Sequence, residues 1–131
     1  MPASIEQALG EAAKGLYFRS ETDEPFAAFH WPEHDTLTAE KVRGLGGHPA
    51  DAKVRETPPE KLFAALTAEH AWHGPAEKQV VQKYRRLFDV LRNRLSELKV
   101  FRIGEIEITL YIVGRTPEGT WAGLKTWSVE T

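Results

Sequence analysis

The stretch Glu105–Val113 alternates polar and apolar residues without a break, and it constrains the fold more than any other part of the chain. Ile106, Ile108, Leu110 and Ile112 fall on one side of an extended segment, and Glu105, Glu107, Thr109 and Tyr111 on the other, because successive strand side chains point to opposite faces. Gly114-Arg115-Thr116-Pro117-Glu118-Gly119 carries turn chemistry, and Trp121 to Val129 reads as the returning strand. A hairpin with an apolar face needs another element to cover it. The cover lies just upstream. Pro75 opens a helix expected over about 76–98, in which Val80, Tyr84, Leu87, Leu91, Leu95 and Leu98 recur at helical steps. Lys78, Arg85 and Arg92 lie on a different face of it, read as solvated.

The rest of the chain adds shorter elements. Residues 4–14 predict a first helix, with Ser4 as N-cap, Gln7 at the capping-box position and Gly15 as its stop. Ser20-Glu21-Thr22-Asp23-Glu24-Pro25 reads as an acidic loop, and Phe26 to Trp31 as an aromatic strand closed by Pro32. A short helix over Thr38–Arg43, a Gly44–Gly47 turn and a strand around Lys53–Glu56 follow. Thr57-Pro58-Pro59-Glu60 then predicts a helix start capped by Thr57 and running to about Thr67. This mixed order implies a layered α/β fold around a largely antiparallel sheet, with residues 1–131 forming a single domain.

Composition excludes several classes of function. With no cysteine among 131 residues, disulfides and thiolate chemistry are out. No apolar run approaches the ~20 residues of a membrane span, and the first residues lack the basic-then-apolar pattern of a secretion signal, so a cytoplasmic location is expected. The net charge of −2 argues against a general nucleic-acid coat. That charge is unevenly spread: residues 1–57 sum to −4, 58–104 to +4 and 105–131 to −2, which predicts faces of opposite potential.

Catalytic and metal-binding patterns find little support. Trp31-Pro32 between His30 and His34 forbids the helix on which their spacing would bind a metal, and His70 and His73 beside Glu69 match no ligand spacing. Glu105 and Glu107 share a strand face, but nothing nearby would desolvate one of them to separate their pKa values. No enzymatic activity, cofactor or metal of its own is expected. Tyr111, Trp121 and Trp127, with Arg115 and Lys125 nearby, form an alternative: a stacking platform for single-stranded nucleic acid. More distinctive are the acids Glu21, Asp23 and Glu24 before a proline, and the strand-borne ending Ser128-Val129-Glu130-Thr131. Carboxylates on rigid supports can imitate nucleic-acid phosphates in a protein cleft and offer the oxygen that Mg²⁺ prefers.

Three stretches, in order, resemble the nuclease A inhibitor family. They are Gly15-Leu16-Tyr17-Phe18-Arg19-Ser20-Glu21-Thr22-Asp23-Glu24-Pro25-Phe26, then Tyr84-Arg85-Arg86-Leu87-Phe88, then Val100 to Ile108 continuing through Tyr111–Gly119, Ala122-Gly123-Leu124 and Val129-Glu130-Thr131. The resemblance implies a three-layer α-β-α sandwich. It also implies a 1:1 inhibitor of a sugar-nonspecific, Mg²⁺-dependent DNA/RNA endonuclease that plugs the enzyme's cleft. Carried over by position, Glu21 and Thr131 reach towards the nuclease's metal region and Trp72 packs at the interface. Asp23, Glu24, His70 and Glu130 stand beside them as partner-binding residues, with direct nucleic-acid or membrane binding not expected. His70-Ala71 departs from the Gln-Asp pair of similar members. On the same scaffold, a non-nuclease protein partner is the alternative.

Overall fold

The computed structural model describes residues 4–19, 21–68 and 73–130. The chain begins with α1 (Ile5–Ala13), capped by Ser4, whose hydroxyl accepts from the Gln7 amide while the Gln7 side chain accepts from the Ser4 amide. β1 (Tyr17–Arg19) and β2 (Asp23–Pro25) pair as a small antiparallel hairpin. The remaining strands are β3 (Ala27–Trp31), β4 (Val54–Thr57), β5 (Ser96–Ile103), β6 (Glu107–Arg115) and β7 (Trp121–Val129). They form one antiparallel sheet in the order β3-β7-β6-β5-β4. Helix α2 (Ala39–Leu45) links β3 to β4, and α3 (Pro59–Thr67) and α4 (Pro75–Arg94) link β4 to β5.

Two apolar layers sandwich this sheet, as the three-layer expectation requires. On one face Leu9 and Ala13 of α1, Phe63 of α3 and Tyr84, Leu87, Phe88 and Leu91 of α4 pack on Val100, Leu110, Ile112, Ala122 and Leu124. On the other, Leu37 just before α2 and Val42 within it join Phe29, Trp31, Phe101, Ile103, Tyr111, Val113 and Trp121. Both faces of the middle strands are therefore buried, which explains why the β6 burial pattern departs from simple alternation. Tyr111, assigned by alternation to the polar side, is 2 % exposed. Ile106, assigned to the apolar side, sits in the turn before β6 at 58 % exposure.

The long helix differs from the expected 76–98. It ends at Arg94, Leu95 is already extended, and residues 96–98 belong to β5. The cause is a β-bulge: between the pairs Ser96↔Arg115 and Lys99↔Val113 the β5 side holds one residue more than its partner. Glu97 takes up the excess at φ 50°. The bulge keeps Leu95, Leu98 and Val100 against the same core, so their spacing mimics a helical repeat. Gly114 lies opposite; a Cβ there would stand 2.7 Å from the Leu95 Cβ and 2.9 Å from the Ser96 carbonyl oxygen. Within α4 the buried seam runs through Val81 rather than Val80, which is 38 % exposed. Thr57 does not cap α3, because it is held in the β4 ladder opposite Val100; Pro58 precedes the helix without a side-chain cap.

Candidate functional site

The six residues read as an acidic loop are a strand turn in part: Asp23, Glu24 and Pro25 are β2 itself, paired with Arg19, Phe18 and Tyr17. Pairing confines the acids to a defined ridge, with Glu21 and Asp23 exposed and Glu24 half-buried. Two supports hold the ridge in place. The Tyr84 hydroxyl on α4 donates to the Tyr17 carbonyl at 2.7 Å, and Phe26 meets Phe18 and Tyr84 edge-on at centroid distances of 6.5 and 6.2 Å. From β7, the Thr126 hydroxyl reaches the Pro25 carbonyl at 2.9 Å and the Glu24 carbonyl at 3.3 Å.

A further contact joins the two ends of the sequence. The Glu21 amide donates to the Val129 carbonyl at 3.3 Å, so the acidic turn and the end of β7 lie side by side. Glu130 continues this edge. Its amide donates to the Ile106 carbonyl at 2.9 Å, and its carboxylate pairs with the Arg102 guanidinium from β5. Arg102 and Glu130 also stand on the rim of the groove of about 630 Å³ between α3 and the sheet, which has Leu62, Ala65, Ile108 and Leu110 among its lining.

Of the sequence-derived site residues, Glu21, Asp23, Glu24 and Glu130 are thus brought together. His70, Trp72 and Thr131 lie outside the described residues. The residues flanking the first two do have a place: Ala68 and His73 line a cleft of about 320 Å³ together with Tyr17 and Tyr84. That cleft begins at the base of the acidic hairpin. Sequence reasoning missed the supports Thr126 and Arg102, although Thr126 and Ser128 carried a signal as polar residues at core-facing positions of a strand.

The nucleic-acid platform is not present as expected. Trp121 is fully buried, its indole N–H donating to the Asp35 carbonyl at 2.9 Å, with the Arg115 guanidinium 4.4 Å from its ring centroid. Tyr111 is buried too, and its hydroxyl lies 2.7 Å from His48 Nε2; of the three aromatics only Trp127 is exposed. Glu105 and Glu107 do not act as a pair. Glu105 lies in the turn before β6, 2.5 Å from Lys53 Nζ, and that contact holds its carboxyl below the usual range. His30 Nε2 lies 2.9 Å from the Thr120 hydroxyl. Among the described residues no three acid or histidine side chains gather as a metal site, and no helix is long and apolar enough to cross a membrane.

No curated protein matches the chain. The family model described as nuclease A inhibitor-like protein matches residues 3–131, nearly the full length. The chain belongs to the nuclease A inhibitor-like family.

Proposed function

We propose that this protein inhibits a sugar-nonspecific, Mg²⁺-dependent DNA/RNA endonuclease by occluding its active-site cleft in a 1:1 complex, as a single domain resident in the cytoplasm. The observation that carries the reading is the hydrogen bond from the Glu21 amide to the Val129 carbonyl. It sets the acidic turn beside Val129, two residues before Thr131 in sequence, which supports reading the acids and the chain's last residues as one oxygen-rich edge. A nuclease cleft that holds phosphates and Mg²⁺ is complementary to such an edge, since a hard cation takes oxygen ligands and a basic cleft attracts carboxylates. Glu21 and Thr131 point to the metal region in this reading. Asp23, Glu24 and Glu130 extend the acidic face, and His70 and Trp72 pack beside it, Trp72 as an anchor. The inhibitor performs no chemistry; it excludes substrate over an interface of roughly 800 Å² per partner.

The test is a titration of the purified protein into plasmid cleavage by such an endonuclease with Mg²⁺ in excess. Inhibition that saturates near one equivalent is expected, and it separates occlusion from metal sequestration. Replacing Glu21 by Ala and removing Thr131 together should weaken inhibition by at least tenfold, the loss of about 1.4 kcal/mol or more expected of central contacts. Unchanged inhibition by that double variant overturns the reading.

A further inference from the structure

We infer that the solvent face of α4 is a second binding surface, one that takes the phosphate backbone of duplex nucleic acid without reading its sequence. The inference goes beyond the proposed function and does not rest on it. Helix α4 carries six cations, Lys78, Lys83, Arg85, Arg86, Arg92 and Arg94, against two acids, Glu77 and Asp89. All six cations are exposed. The acids leave most of this charge in place: the Glu77 carboxylate accepts from the Gly74 amide at the helix start, and Asp89 pairs with Arg92. Lys78, Lys83, Arg86 and Arg94 have no ion-pair partner among the described residues. With the buried seam running through Val81, Tyr84, Leu87, Phe88 and Leu91, helical geometry sets Gln79, Gln82, Arg86 and Asn93 along the opposite ridge. Lys78, Arg85 and Arg92 follow one flank of that ridge, and Lys83 and Arg94 the other. At 1.5 Å per residue the surface runs about 24 Å, the length of about seven base pairs.

The chemistry of the face selects among polyanions. An anionic lipid surface takes up a helix through its apolar side, but that side of α4 is buried in the core, and Val80 is its one exposed large hydrophobic residue. A protein partner needs aromatic or apolar anchors at the centre of the contact, and the ridge of Gln79, Gln82, Arg86 and Asn93 has none. Nucleic acid needs neither, because Lys and Arg neutralise phosphates and amide side chains add hydrogen bonds to them. Helix α4 packs on both α1 and α3, so its ridge lies along a duplex rather than inside a groove, and base edges stay out of reach. Those neighbours carry Glu6, Glu11 and Glu60, offset in part by Lys14 and Lys61. The net charge of −2 belongs to the whole chain, whereas a contact is governed by charges within a Debye length of about 8 Å. The expectation of no direct nucleic-acid contact came from that net charge and from the family resemblance, neither of which describes this face.

The experiment is fluorescence anisotropy of two labelled DNA duplexes of unrelated sequence, titrated with the full chain and with no nuclease present, so that its failure leaves the proposed function untouched. Both duplexes are expected to bind equally, with affinity falling about a hundredfold between about 50 and 200 mM salt, as contact with about four phosphates requires. R86Q/R94Q should weaken binding at low salt at least tenfold and flatten the slope of log affinity on log salt by about two. The charge-matched control K53Q/R55Q, on and beside β4, should leave both nearly unchanged, with melting temperature as the check on folding in each variant. No binding of the parent chain at low salt overturns the inference. So does an equal loss in K53Q/R55Q, which would reduce the effect to overall charge. Retention on vesicles of mixed phosphatidylserine and phosphatidylcholine without duplex binding would assign the face to a lipid surface and overturn it as well.

Discussion

Ser128 is buried in β7 and its hydroxyl has no hydrogen-bond partner among the described residues. An unmet buried hydroxyl costs roughly 1–3 kcal/mol. Ser128→Ala should therefore raise stability by about 1 kcal/mol in urea denaturation, and a loss of that size would mean the hydroxyl is bonded in solution. His48 gives a second residue-scale expectation. Burial, then the nearby Lys125 charge, lowers its pKa below the ordinary value, while burial raises that of its neighbour Tyr111. The unfolded chain thus takes up a proton at His48 more readily than the native one. Its contribution to stability is complete above about pH 6.5 and declines as pH falls below it towards the depressed native pKa. Melting temperatures followed from pH 7.5 downwards should show the decline, and His48→Gln should reduce it. The Ser4–Gln7 capping box was legible because it is a local pattern. The burial of Tyr111 was not, because alternation separates two faces of a strand without saying that a second layer covers both.

At the scale of elements, sequence reading succeeded where one principle acted alone. Strand β7 matches its expected bounds because the turn chemistry of Gly114–Gly119 stops just before it. The junction of α4 and β5 failed because a bulge lengthens strand spacing from two residues to three, the same step a helix shows. Gly114→Ala tests the packing of that bulge. The added methyl meets the Leu95 Cβ and the Ser96 backbone at under 3 Å, and should cost about 1–3 kcal/mol by overpacking. A neutral result in denaturation would show that β5 can slide to accommodate it. The acidic hairpin was read as a loop for a different reason. Each of its strands has three residues, too short for any period to emerge, and its partners on α4 and β7 are far away in sequence.

For the whole molecule, a layered α/β plan followed from the need of a long amphipathic helix and an alternating hairpin for mutual cover, and the third layer came only with the family resemblance. The adjacency of Glu21 and Val129 did not follow, since it depends on strand order, which local pattern does not encode. The charge asymmetry between segments bears on association rather than fold. Under the proposed function, the rate of complex formation with the nuclease should fall as salt rises. Glu21→Gln with Asp23→Asn should slow association about three- to tenfold at low salt and flatten that salt dependence in stopped-flow measurements. An unchanged slope would place the steering charges elsewhere. Strand β7 carries one more consequence. It lies between β3 and β6, yet among the described residues it is the last strand in sequence. A nascent chain emerging from a ribosome thus displays its acidic turn while the strand that supports it is still unmade. Under the proposed function, the acidic turn reaches its binding geometry only once β7 stands between β3 and β6.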